Sequence, residues 1–143
     1  MKNFKIREVI FIDDDEIVIL VGKKILKMIG YEGKVSYYLN GLEALKNIEE
    51  RTAKGEFELK SDPIVVFLDI NMPIMDAWDF MNSFKEFPQT IKENFKIAIV
   101  TNSYNPSDKL KTLEYLDLLD FMNKPLSPVD YLEFFKKNEF YKE

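Results

Sequence analysis

Cysteine and histidine are both absent from this chain of 143 residues. The first absence excludes disulfides, thiol catalysis and zinc–thiolate sites. The second removes any histidine base, metal ligand or phosphohistidine from within the chain. No stretch approaches the roughly 18–20 apolar residues of a membrane span. The apolar run from Val9 to Ile12 is too short for a signal-peptide core and meets three aspartates. A net charge of -5 argues against duplex nucleic acid or an anionic membrane as a direct partner. The chain is therefore expected in the cytoplasm. Its chemistry must come from carboxylates, lysines, hydroxyls and a bound ion.

What is present suffices for one domain. A hydrophobic content of 46% can supply a core, and 14% aromatics argue against disorder. No repeat, low-complexity tract or linker is visible, so residues 1–143 are expected to form a single domain. The last helix is expected to run almost to Glu143, so no output domain is expected.

The central stretch is Ile64 to Leu68, a run of β-branched and large apolar residues that stops at Asp69. Such a run reads as a strand buried on both faces. Val9 to Ile12, Val35 to Leu39, Lys96 to Val100 and Leu118 to Asn123 read as four further strands. Between them lie helical patterns. Ile17, Leu20, Val21, Ile25 and Met28 recur at helical spacing, and Gly30 suits the position past a helix end. Asn40 and Glu43 resemble a capping box, ahead of a helix with Leu42, Leu45 and Ile48 on its apolar face. Gly55 to Asp62 reads as a charged surface loop. A third helix is expected from Ala77 to Phe87, ended by Pro88, and a fourth from Asn105 through Tyr115. Ser127 and Pro128 open the last, with Val129, Leu132 and Phe135 facing inward. Five strands alternating with five helices predict a doubly wound α/β fold, a parallel sheet of flavodoxin-like order 2-1-3-4-5 with helices on both faces.

In that order the first and third strands are neighbours, which brings Asp13 and Asp14 beside Asp69 at their carboxyl ends. Crowded carboxylates repel unless a cation sits among them. Oxygen ligands alone point to a hard ion such as Mg²⁺. Thr101 and Lys124, at the ends of the fourth and fifth strands, add a hydroxyl and an ammonium. A carboxylate nucleophile, a divalent cation, a lysine and a threonine are what phosphoryl transfer needs. An aspartate that accepts a phosphoryl group becomes an acyl phosphate.

Ile12-Asp13-Asp14, Phe67 through Asp76, Val100-Thr101 and Lys124-Pro125 together resemble the signature sites of CheY-like receiver domains of response regulators, in that family's order. The resemblance implies a stand-alone phosphoacceptor of a two-component phosphorelay, with Asp69 as the acceptor. It implies that Asp14 ligates Mg²⁺ directly and Asp13 mostly through water, with Asn71 giving its backbone carbonyl. Lys124 would contact the phosphoryl group, and Thr101 would move toward it. Phe121 matches an aromatic switch position, although a core role is equally open to it. Pro125 matches a cis peptide. Phosphate would come from a sensor histidine kinase or a histidine phosphotransfer protein, and the output would be binding to another protein whose identity the sequence does not give.

Some residues depart from the pattern. Ala77 replaces a usual glycine, so that turn must avoid a left-handed backbone or tolerate strain. Asn102 is larger than the small residue common after the threonine and could slow access to the site. Taken alone, Asp13 to Asp15 would also suit a solvated strand end with a helix cap, and Asp15 is read as the cap. Ser103 is read as loop. Lys109, Lys111, Tyr115, Tyr131 and Lys136 are candidates for a partner-recognition face or a plain solvated surface.

Two other functions compete. A phosphatase of the haloacid-dehalogenase type would carry an acid two residues after its nucleophile, where this chain has Asn71. A phosphorylation-independent pseudo-receiver would keep the fold as an interaction module, but tends to lose part of the acidic set retained here.

Overall fold

In the computed structural model, which describes residues 3–58 and 61–143, the apolar runs pair as five parallel strands. These are β1 (Glu8–Ile12), β2 (Lys34–Tyr38), β3 (Ile64–Leu68), β4 (Phe95–Thr101) and β5 (Leu118–Asn123), in the order β2-β1-β3-β4-β5. Every residue of β1 and β3 is buried, as expected of strands covered on both faces. Among the described residues six helices connect and cover the sheet: α1 (Glu16–Met28), α2 (Gly41–Ala53), α3 (Ala77–Phe84), α4 (Gln89–Lys92), α5 (Pro106–Thr112) and α6 (Pro128–Lys137). Among the described residues no helix is long and apolar enough to cross a membrane.

Alternation along the strands divides the core in two. Ile10, Ile12, Val66, Leu68, Ile97 and Ile99 pack with α2 and α3 through Leu45, Ile48, Phe80 and Phe84. Val9, Phe11, Val65, Phe67, Ala98 and Val100 face α1 and α6 through Ile19, Leu26, Tyr131, Phe134 and Phe135.

Several sequence expectations are corrected. In α1 the residues at Ile17, Leu20, Val21 and Met28 are exposed, and Ile19, Gly22 and Leu26 face the core. Both faces of this helix are apolar, so periodicity alone could not choose between them. Gly22 decides it: a Cβ there would lie 2.7 Å from the Phe11 ring, so only glycine lets α1 approach the sheet this closely. In α6, Val129 is exposed and Leu132 half-buried, while Tyr131, Phe134 and Phe135 form the inner face. Tyr131 is therefore a core residue, not part of a recognition face. The third helix stops at Phe84, and the separate turn of α4 follows Pro88, whose carbonyl accepts from Ile91 and Lys92. Helix α5 ends at Thr112, after which Leu113, Glu114 and Tyr115 bond three residues back in a tighter turn.

The α2–β3 connection is not wholly surface. Phe57 is buried against Phe95, and Arg51 lies over its ring. Arg51 also pairs with the buried Glu8 at 2.9 Å and with Glu56 at 3.0 Å. The part of that loop at Leu59 and Lys60 falls outside the described residues. Gly30, at φ 96, ends α1 as expected, with Tyr31 N–H donating back to the Leu26 carbonyl.

Candidate functional site

Strand register assembles the site. Ile12 lies opposite Leu68, so the next residues, Asp13 and Asp69, leave adjacent strands side by side. The Asp69 N–H donates to the Ile12 carbonyl at 2.9 Å and fixes that juxtaposition. On the other side Thr101 pairs with Asn123, which puts Lys124 one residue beyond the end of β5. The Lys124 N–H donates to the Thr101 carbonyl at 2.8 Å, and the Lys124–Pro125 peptide is cis, as the resemblance implied.

The Lys124 ammonium lies 2.7 Å from Oδ2 of Asp13 and 3.4 Å from Oδ1 of Asp69. Both carboxylates and the ammonium are nearly buried. Asp14 is exposed at the rim, and its oxygens can come within 4.8 Å of those of Asp13 and Asp69. Asp15 takes the role expected of it, capping α1 by accepting from the Ile17 N–H, while its own N–H donates to Asp13. Asn71 is exposed just past the buried Ile70, and Asn102 is exposed beside Thr101.

Electrostatics single out Asp69. Burial, followed by the charge of Asp13, pushes its carboxyl up to about 6, with Lys124 and the Ile70 N–H acting in the other direction. Burial pulls the Lys124 ammonium down, but its hydrogen bond to Asp13 and the two carboxylate charges outweigh that and leave it above the ordinary value. The donor set fits a hard divalent cation: carboxylate oxygens only, one of them held as an anion that its surroundings disfavour.

Thr101 is buried, and its Oγ1 accepts from the Ser103 N–H at 3.1 Å. Phe121 is half-buried against the core on the α2 and α3 side. Ala77 avoids the left-handed conformation, because the chain makes its sharp turn earlier. Ile74 has φ 69, and Met75 N–H donates to the Pro73 carbonyl in a three-residue turn. Asp76 then caps α3 by accepting from Asp79. Lys109 and Lys136 are exposed, while Tyr115 stacks on Trp78 and Lys111 lies over the same ring at 5.3 Å.

Ser103 lies in a loop, as read from the sequence, and Asn123 was not singled out there; both make bonds at this site. Ser103 donates its hydroxyl to Asp108, and Asn123 donates to the Ser103 carbonyl at 2.8 Å. The one available signal was that Asn123 directly precedes Lys124, where the register turns it toward the β4 end.

The lysine-paired acidic cluster lies at the carboxyl ends of the central strands, where open parallel sheets place their ligand crevice. The family model of the response regulator receiver domain matches residues 9–136. The chain belongs to that family, whose members are signalling modules that typically bind Mg²⁺ at an acidic pocket and act with histidine kinases or phosphotransfer proteins. No curated protein matches it.

Solved structures resemble it over nearly their full length. A two-component response regulator from Cytophaga hutchinsonii is 25% identical, covers 92% of this chain and 96% of its own, and has a TM-score of 0.78. A response regulator receiver protein from Dyadobacter fermentans is 17% identical, with 91% and 95% covered and a TM-score of 0.76. The phosphorylated cyanobacterial phytochrome response regulator RcpA is 20% identical, with 94% and 91% covered and a TM-score of 0.70.

Proposed function

We propose that this receiver domain takes a phosphoryl group onto Asp69 from a phosphohistidine on a partner, a sensor histidine kinase or histidine phosphotransfer protein, and signals by binding another protein. One observation carries the reading. A buried carboxylate at the end of β3 lies 3.4 Å from an ammonium that also holds Asp13, and burial pushes that carboxyl up to about 6. The complete absence of histidine from the chain agrees with a donor supplied in trans. That RcpA is described as phosphorylated adds support from a relative of the same fold.

In this reading an Asp69 oxygen attacks phosphorus, the O–P bond forms as the P–N bond breaks, and the departing imidazole takes up a proton. Water later cleaves the acyl phosphate, releasing inorganic phosphate and restoring the carboxylate. Asp13, Asp14, Asp69 and the Asn71 carbonyl would hold Mg²⁺, which offsets the charge of the phosphoryl oxygens. Lys124 would contact one of those oxygens. Thr101 would exchange the Ser103 N–H for a phosphoryl oxygen, and Phe121 would move inward with it. No external substrate is turned over.

The bond type is the test. A phosphoryl group gained from acetyl phosphate should be removed by hydroxylamine, as an acyl phosphate is. A hydroxylamine-resistant group would be an ester on a hydroxyl and would remove Asp69 from its role.

A further inference from the structure

Between α1 and α6, beside the end of β4, lies a cavity of about 230 Å³ that the phosphoacceptor reading leaves unused. Its walls are the apolar side chains of Val18, Val21, Ile25, Val100, Pro125 and Leu126, with Asn102 exposed at the rim. None of the carboxylates of Asp13, Asp14 and Asp69 lines it. An apolar cavity of roughly 150 Å³ is enough to hold benzene, so there is room here for a small organic molecule.

Gly22 keeps this space open. A Cβ there would lie 2.7 Å from the Phe11 ring and 3.2 Å from the Tyr131 hydroxyl. Tyr131 lines the same cavity and is only 5% exposed. Among the described residues no group accepts its hydroxyl proton, whereas a buried tyrosine hydroxyl ordinarily has a partner. One donor is thus aimed into a space with apolar walls. Water suits such walls poorly, because each molecule needs about two to four polar partners.

The charges around the cavity narrow what it can take. Burial, followed by the charge of Asp13, pushes the Tyr131 hydroxyl up, so it keeps its proton and donates. The same negative charge disfavours an anion. The Lys124 ammonium, whose residue forms part of the wall, already pairs with Asp13 and Asp69 and disfavours a second cation. What remains is a neutral group with an acceptor atom.

We propose that this cavity is a binding site for a small, uncharged, largely apolar molecule that accepts a hydrogen bond from Tyr131. Gly22 supplies the space, the aliphatic walls supply most of the contact, and the tyrosine hydroxyl sets the orientation. The proposal does not depend on Asp69 taking phosphate.

Quinoline, whose ring nitrogen accepts, and naphthalene, which has the same shape and no acceptor, are suitable probes. Titration of the full chain followed by methyl NMR should give saturable shifts at Val18, Val21, Ile25 and Leu126 with quinoline. Tyr131→Phe should weaken quinoline about three- to tenfold, the range for one net hydrogen bond, and should not weaken naphthalene. A thermal melt shows that the variant is folded. Val21→Trp, at an exposed position that lines the cavity, should block both probes. No saturable shift with quinoline, or shifts unchanged in Val21→Trp, would overturn the site. Quinoline affinity unchanged in Tyr131→Phe, or an equal loss for both probes, would overturn the role of the hydroxyl. Binding of naphthalene alone would mean that the cavity takes only apolar groups, such as a side chain of a docked protein, and would overturn the proposal.

Discussion

The Lys124 ammonium sits 2.7 Å from Oδ2 of Asp13, closer than to any oxygen of Asp69, and so bridges the ends of β1 and β5 across the acceptor strand. With its side chain only 8% exposed, this cation is the main positive charge that the structure sets against the carboxylates. Removing it leaves two buried anions facing each other.

Lys124→Ala should therefore destabilise the metal-free protein by about 3 kcal/mol, the scale for breaking a buried ion pair from one side. Mg²⁺ should raise the melting temperature of this variant more than that of wild type, because the ion then meets uncompensated charge. Equal Mg²⁺-induced shifts in a thermal melt would show that Lys124 and the metal site are independent.

Asp69 predicts a pH dependence with a definite sign. Its folded value, about 6, lies above its unfolded value, so the folded chain binds more protons between roughly pH 4 and 6. Metal-free stability should be unaffected by this group at the acid end, fall as the pH rises through that window, and carry the full penalty above it. The penalty is roughly 2–3 kcal/mol. Urea unfolding of wild type and Asp69→Asn at each pH isolates it, since the variant lacks the slope. Parallel curves would contradict the raised value.

Asp14 is exposed and makes no ion pair with Lys124, so Asp14→Ala should leave metal-free stability within about 0.5 kcal/mol. Mg²⁺ affinity should fall at least about tenfold, near 1.4 kcal/mol. Titration calorimetry reads both the affinity and the enthalpy. Wild-type affinity in this variant would remove Asp14 from the ligand set.

At the amino end of β1, away from the site, Glu8 is buried and its pairing with Arg51 is tight, at 2.9 Å. Arg51→Ala strands that carboxylate and also uncovers the Phe57 ring. Denaturant unfolding should show a loss of about 3–5 kcal/mol, with phosphoryl acceptance at Asp69 retained by the folded fraction. A loss under about 1 kcal/mol would mean that Ser36, which donates to Glu8 at 2.8 Å, suffices to hold the carboxylate.

Much of this was legible in the sequence because strand ends and chemistry coincide. Leu68 followed by Asp69, and Ile12 followed by Asp13, announce both the sheet and the place where its carboxylates meet, and parallel order then fixes Thr101 and Lys124. The faces of α1 and α6 were not legible. Ile17, Leu20 and Val21 share the helical period of Ile19 and Leu26, and only the contact between Gly22 and Phe11 in three dimensions selects one face. Ala77 drew attention as the missing glycine, yet Ile74 takes the positive φ, because turn geometry depends on backbone closure between Pro73 and Met75. Ser103 is loop, as the sequence indicated, but its bonds to Thr101 and Asp108 were not legible, because hydrogen bonds of a short hydroxyl leave no periodic trace.

The central claim, that Asp69 accepts a phosphoryl group with the help of Mg²⁺, is tested most directly by intact-mass spectrometry after incubation with acetyl phosphate, with and without Mg²⁺. The account predicts a gain of one phosphoryl group that requires Mg²⁺ and is lost in Asp69→Asn. A gain that persists in Asp69→Asn, or no gain in a wild-type protein shown by titration to bind Mg²⁺, would contradict it.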